Sequence, residues 1–396
     1  MNKNIIIHDA GNNAHNVDEH KEKVKDILSL AQSYNAEEIA RLRMTTFPRQ
    51  TVLNSFAKNG KKYGPSEGDA IVQGKGSEAE LVMESDTPEW CEYFENLDGF
   101  TQPDGETVKP YWDEDGSIYP VGRYENAGEV NFPVMSGNAG LRYQFRILQE
   151  LKEYYGAVVS LKCSFHEHND LRNIIKGYGK PGWCDKVAKF LLCLVCAGRR
   201  YEPAFWGIGG SNQRNQTHYC KSWENEDILK LARLVRDGLG QYSQSEGILK
   251  IADCQSRRTC GVNIRAILKS AMTVELRYGA AGYVLPNQST GDIDPYLATG
   301  TSWMNLALIR TALAEMSKPV SELRISHKCL SATQTFSRFL LHTGRSALYS
   351  FVEHRANPIL DALEIAMAHA DAAGLPTNRH FPCQRKSDPA RIVLPS

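Results

Sequence analysis

The sequence predicts an α+β fold, a sheet with helices packed on one side. Three observations carry that expectation. Runs of alternating or β-branched residues recur through the middle of the chain at strand length, helical runs of uneven length separate them, and several inter-strand spacings suit hairpins. In order, Gly76 to Met83 alternates as a strand, and the acidic, aromatic stretch from Ser85 to Arg123 reads as loop. Glu129 to Val134 reads as a second strand. Gly140 to Tyr155 then reads as a helix with Leu141, Phe145, Leu148 and Leu151 on one face. Ala157 to His168 is a third strand, followed by helices near Asp185 to Ala197 and Glu224 to Leu239. Ile248 to Asp253, Gly261 to Ile264 and Thr273 to Tyr278 read as short strands, and from Tyr296 onward the pattern is mostly helical.

Before this region lies a helical appendage, residues 1–70. It holds a charged helix over Val17 to Ser33, a short one over Ala36 to Met44, and a polar linker from Lys58 to Gly68. Residues 71–316 form the expected sheet-bearing domain and 317–396 a helical C-terminal region with a loose tail.

With 396 residues, 42% hydrophobic and 23% charged, the chain has the make-up of a globular protein. Its formal net charge is zero, which lowers the expectation of nucleic acid or a membrane surface as partner. The start Met1-Asn-Lys-Asn-Ile-Ile-Ile-His8 has no signal-peptide pattern, and the apolar run Phe190–Ala197 is far shorter than the roughly 20 residues of a spanning helix. Ten cysteines without framework spacing suggest reduced thiols and a cytoplasmic protein. Cys193 and Cys196 form a C-x-x-C pair on an apolar helical run, where core packing is the favoured reading over metal or redox chemistry. No P-loop pattern occurs, Gly207 to Gly210 reads as a plain loop, and His327 and His342 read as packing or surface residues.

Four strand segments carry polar residues that a core does not favour. Glu78 and Glu80, two apart on a strand, point to one face; either that face is solvated or a cation sits between them, and hard oxygen ligands suit Mg²⁺ or Mn²⁺. Glu129 stands alone on its strand. His166 and His168 share a face with Glu167 on the other, and read as surface decoration or as ligands to metal or phosphate. Glu275 and Arg277 share a face, where they pair with each other or divide a metal and a phosphate between them.

In this order the four segments resemble the amidoligase family, a branch of the glutamine-synthetase-like carboxylate–amine ligases. That family runs E-x-E, then a strand with a lone glutamate like "E-x-x-S-P", a helix, a strand ending G-x-H-x-H, and much later E-F-R. Here the succession is Glu78/Glu80, Glu129 before Pro133, the helix to Tyr155, His166/His168, and Glu275/Arg277. Asp115-Gly-Ser117 resembles the family's "D-G-S" element, and Asn263 its "L-N" strand. Asp294-Pro-Tyr-Leu-Ala298 is similar to the "N-P-Y-L-A" step of glutamine synthetases. Ser164 replaces a glycine, Leu276 a phenylalanine, only one proline follows Glu129, and an insertion near Ala280 to Thr290 follows Arg277.

The resemblance covers roughly Ile71 to Met316. It implies a curved, mainly antiparallel glutamine-synthetase-like sheet and an ATP- and Mg²⁺-dependent ligase joining a carboxylate to an amine through an acyl phosphate. By the same carry-over, Glu78, Glu80, Glu129, His166 and Glu275 hold metal, His168 touches an ATP phosphate, and Arg277 stabilises the transferring phosphoryl group. Arg257, Arg258 and Arg214 are further candidates for phosphate or substrate carboxylate. The amine co-substrate is a small molecule or a peptide side chain, and a homo-oligomer is compatible with the pattern. Two rival readings stay open: a metal-dependent hydrolase or phosphotransferase, and a non-catalytic protein that keeps the fold.

Overall fold

The computed structural model describes residues 75–84, 89–101, 105–135, 137–208, 220–282, 284, 289–325, 392 and 394. The expected N-terminal helices, Arg214, His327, His342 and the C-terminal region beyond residue 325 lie outside the described residues, apart from positions 392 and 394.

The fold is α+β, with a mainly antiparallel sheet built around one strand. That strand, β1 (Lys75–Met83), is bonded along one edge to β5 (Asn126–Asn131), which in turn pairs with β4 (Tyr111–Glu114). Its other edge is divided. The first half pairs with β7 (Phe165–Asp170), and Val82 pairs with β6 (Val158–Ser160), which carries β10 (Thr290–Asp292) beyond it. β7 continues the sheet to β9 (Thr273–Gly279) and β8 (Val262–Asn263). A hairpin of β2 (Phe100–Thr101) and β3 (Thr107–Val108) stands apart.

Helices close the back of this sheet. The helix α2 (Gly137–Tyr154) places Ile147, Leu148 and Leu151 against Ala79, Leu81, Met83 and Val130. Counting the short helix over Glu89–Asn96 as α1 and the single turn over Leu171–Ile174 as α3, the next helix is α4 (Trp183–Ile208). Every residue from Phe190 to Ala197 is buried, as expected of a helix that is apolar on all sides. Cys193 and Cys196 are therefore core thiols, and burial pushes Cys193 up to about 12 and Cys196 well above the usual thiol range, far from thiolate chemistry. Two glycines let α4 and β8 close on Tyr278 of β9: a Cβ at Gly198 would lie 2.9 Å from the Tyr278 hydroxyl, and one at Gly261 2.0 Å from its ring. The long helix α7 (Pro295–Glu315) lies behind β7, where Ser302 and Asn305 reach Glu167.

Several local expectations are corrected. Ile248 to Asp253 is not a strand but the end of helix α6 (Gln244–Asp253), which follows α5 (Asn225–Asp237). Ser243 and Glu246 form a reciprocal capping box, and Gly247, Ile248, Ile251 and Ala252 bury one face, so capping and packing override the β-branched content. Ala157 to His168 is two strands, because a turn closed by Cys163 N–H to the Ser160 carbonyl breaks the run. Ser85 to Arg123, read as loop, contains α1, the small hairpin and β4. Glu129 sits inside β5 rather than at its start. The helix expected over Asp185 to Ala197 runs on to Ile208.

Candidate metal-binding face

Register decides which side chains meet. Directly opposed residues of antiparallel strands share a face, and the ladders align Glu80 with Glu129, Glu78 with His166, His168 with Glu275, and Glu275 with Asn263. Four strands thus deliver their charged residues to the front of the sheet, and β8 adds Asn263. Glu167, between the two histidines, points to the back and is fully buried there. A register shift between Phe165 and Glu167 marks an irregularity in β7 beside the site, a common place for bulges that re-aim a side chain.

The front carries two clusters of ligand atoms, each within 4.8 Å of one another: Glu78, His168 and Glu275, and Glu80, Asp115 and Glu129. His166 stands between them. Its Nδ1 lies 3.6 Å from Glu78 Oε2 and 3.4 Å from Glu275 Oε1, and its Nε2 lies 3.6 Å from Glu80 Oε1 and 2.5 Å from the Ser164 hydroxyl. His168 Nδ1 is 3.0 Å from the Thr273 hydroxyl. Its Nε2 is buried without a hydrogen-bond partner among the described residues, 3.1 Å from Glu78 Oε1 and 4.0 Å from Glu275 Oε1.

The carboxylates are held from the sides. Arg277 Nη1 donates to Glu275 Oε1 at 2.6 Å, and Asn263 Nδ2 donates to Glu275 Oε2 at 2.6 Å. The Ser164 N–H donates to Glu80 Oε2 at 2.6 Å, and Asn131 Nδ2 donates to Glu129 Oε1 at 3.1 Å. Asp115 is presented by a tight turn in which the Ser117 N–H and hydroxyl both donate to its carboxylate, at 2.8 and 2.9 Å.

Charge crowding marks this face. Burial, then the neighbouring charge of Glu78, pushes the Glu129 carboxyl up to about 7. Burial also opposes ionisation of Glu78, but the imidazoles of His166 and His168 set against its carboxylate hold it well below the usual carboxylate range. Glu275 is likewise held down against burial, chiefly by the Arg277 charge. His166 is pushed down by burial and by Arg277, which favours the neutral, ligand-competent imidazole. The donor set fits divalent cations: carboxylates grouped at chelating distance, neutral imidazole beside them, and an orphaned ring nitrogen aimed at two carboxylates.

All seven strand residues singled out by sequence, Glu78, Glu80, Glu129, His166, His168, Glu275 and Arg277, lie on this face. Arg257 and Arg258 are exposed, and Arg257 faces Glu224 at 3.8 Å. Asp115 is a candidate ligand that the sequence shows only as part of a signature element. Its signal in the sequence is the D-G-S turn alone; the pairing of β4 with β5 that brings it to Glu129 is a feature of the fold. The hydroxyls of Ser164 and Thr273, beside the two imidazoles, carry no signal in the sequence as their partners.

No family model matches the chain, and no curated protein matches it. Among solved structures it is similar to a bifunctional glutathione synthetase from Pasteurella multocida, at 11% identity and a TM-score of 0.35. That match covers 78% of this chain and 50% of the synthetase, so the chain spans half that enzyme's length. A likeness this slight carries no argument about activity. Among the described residues no helix is long and apolar enough to cross a membrane.

Proposed function

We propose that the protein is an ATP-dependent carboxylate–amine ligase of the amidoligase type, on a glutamine-synthetase-like sheet. The observation that carries this reading is the convergence of the E-x-E, lone-glutamate, H-x-H and E-x-R residues from four strands onto one sheet face, in two chelating clusters. A carboxylate is a poor electrophile, so ligation transfers the ATP γ-phosphoryl group to a carboxylate oxygen, with ADP leaving. The amine nitrogen then bonds to the acyl carbon, the carbon–oxygen bond to phosphate breaks, and the nitrogen gives up a proton. Such chemistry depends on positioning and charge neutralisation.

The all-oxygen cluster of Glu80, Asp115 and Glu129 suits Mg²⁺, whose charge would offset that of the nucleotide phosphates. Arg277, part-buried at the edge of Glu275, supplies a planar guanidinium for the transferring phosphoryl oxygens. The resemblance gives His168 to an ATP phosphate, and its Nε2 also faces Glu78 and Glu275 at the edge of the cation centre. The carboxylate and amine substrates, and a homo-oligomeric state, belong to this proposal as classes only.

Calorimetric titration of Mg²⁺ and ATP into the protein, beside a Glu78→Ala/Glu275→Ala variant, tests the reading. Magnesium-dependent nucleotide binding should be present in the parent and lost in the variant, followed by ADP release that requires both a carboxylate and an amine. ADP release without an amine would move the assignment to a hydrolase or phosphotransferase. Equal absence of binding in two folded proteins would move it to a non-catalytic role.

A further inference from the structure

The two cation clusters differ in chemistry. Glu80, Asp115 and Glu129 offer only oxygen, whereas Glu78 and Glu275 stand against two imidazoles. Each imidazole has one nitrogen next to a hydroxyl: Nε2 of His166 to Ser164, and Nδ1 of His168 to Thr273. A ring nitrogen that donates to a hydroxyl oxygen leaves the opposite nitrogen with its lone pair free, and such outer partners set both tautomer and aim. The nitrogens left over are Nδ1 of His166 and Nε2 of His168, and both face the same two carboxylates.

We infer that His166 Nδ1, His168 Nε2, Glu78 and Glu275 form a two-imidazole, two-carboxylate centre for a transition-metal dication of the Zn²⁺ or Co²⁺ kind, in preference to Mg²⁺. Ser164 and Thr273 are its positioning residues.

Three observations carry this. Imidazole nitrogen selects first-row transition ions, while Mg²⁺ favours oxygen and water. The nitrogen–oxygen separations are 3.1, 3.4, 3.6 and 4.0 Å. Tetrahedral ligands at zinc bond lengths are about 3.3 Å apart, within that spread, whereas adjacent ligands of octahedral Mg²⁺ are about 2.9 Å apart, shorter than all four. His168 Nε2, finally, is buried 3.1 Å from Glu78 Oε1 without a hydrogen bond of regular geometry among the described residues, and a metal held between the two would satisfy both atoms. Ser164 stands where the family resemblance has glycine, so a hydroxyl on the His166 ring is this chain's own departure.

The face would then hold two unlike ions, a transition metal between the histidines and Mg²⁺ at the oxygen cluster. From the ligase reading the inference takes only that this face holds cations; its test contains no nucleotide, so the two fail separately.

Metal-stripped full-length protein is titrated with Co²⁺ alone, then challenged with excess Mg²⁺, while visible absorption is recorded. A ligand-field band of a low-coordinate nitrogen–oxygen site that persists in Mg²⁺ is the expected result. Loss of the band at equimolar Mg²⁺ overturns the inference without any variant. Ser164→Gly should shift the band and weaken Co²⁺ by about 10–100-fold, the usual cost of losing an outer-shell partner. Ser164→Thr, which keeps the hydroxyl, should restore both. A band unchanged in Ser164→Gly removes Ser164 from the positioning role, and one unchanged in His168→Ala removes the two-imidazole centre.

Discussion

Carboxylates are buried on both faces of the sheet, and the two faces treat them differently. Behind the sheet, Glu167 meets Lys75 in a buried ion pair and accepts from Ser302 and Asn305 of α7, with Gln144 and Ser77 extending the network. Glu202, on α4, accepts from Ser222 and Tyr278. In front, among the described residues, the five carboxylates of the two clusters stand beside one guanidinium, Arg277, and two imidazoles, of which burial keeps His166 from charging. Matched charge cements the back, where α7 docks on β7. Unmatched charge in front leaves ligand capacity for cations.

The back face should therefore be the fragile one. Glu167→Ala strands the Lys75 ammonium in the core, where burial already presses its proton affinity down, and should cost about 3–5 kcal/mol in urea unfolding. Replacing both partners by Lys75→Met with Glu167→Leu should recover much of that loss. A cost below about 1 kcal/mol for Glu167→Ala would mean the back-face network is not matched as described.

Glu202 gives a smaller effect with a pH signature. Burial raises its carboxyl to about 7, so the folded state keeps a proton that the unfolded state releases near its ordinary value. Stability from this group is full below about 4.5 and declines as pH rises through about 7, by about 3 kcal/mol in all. Glu202→Gln should flatten that part of a stability-versus-pH curve measured by thermal or urea unfolding. An identical slope in the variant would assign the decline elsewhere.

The front face should respond in the opposite sense. Glu129→Gln removes a like charge set directly opposite Glu80, and should stabilise the metal-free protein by about 0.2–1 kcal/mol while weakening Mg²⁺ binding. Loss of stability on that substitution would dissolve the contrast between the two faces.

Much of the front was legible because strand period two is a strong rule. Glu78/Glu80, His166/His168 and Glu275/Arg277 each needed only an i, i+2 spacing to be placed on one face. What was not legible depends on partners distant in sequence. The break at Leu161 to Ser164 follows from β1 bonding to two strands along one edge. The helical state of Ile248 and Ile251 follows from a capping box and a buried face. Asp115 reaches Glu80 and Glu129 only because β4 pairs with β5, and nothing local to Tyr111–Glu114 announces that pairing.

The divided edge of β1 also has a consequence for synthesis. The strand that completes the outer side of β7 is β9, whose first residue lies about a hundred positions after Asp170. At roughly 5–20 residues per second, the edge of β7 waits on the order of ten seconds for its partner on the ribosome. A bare strand edge is a template for pairing with other chains. Slow decoding between α4 and β9 would lengthen that wait, so aggregation during expression should track translation speed over this stretch more closely than the stability of the finished fold.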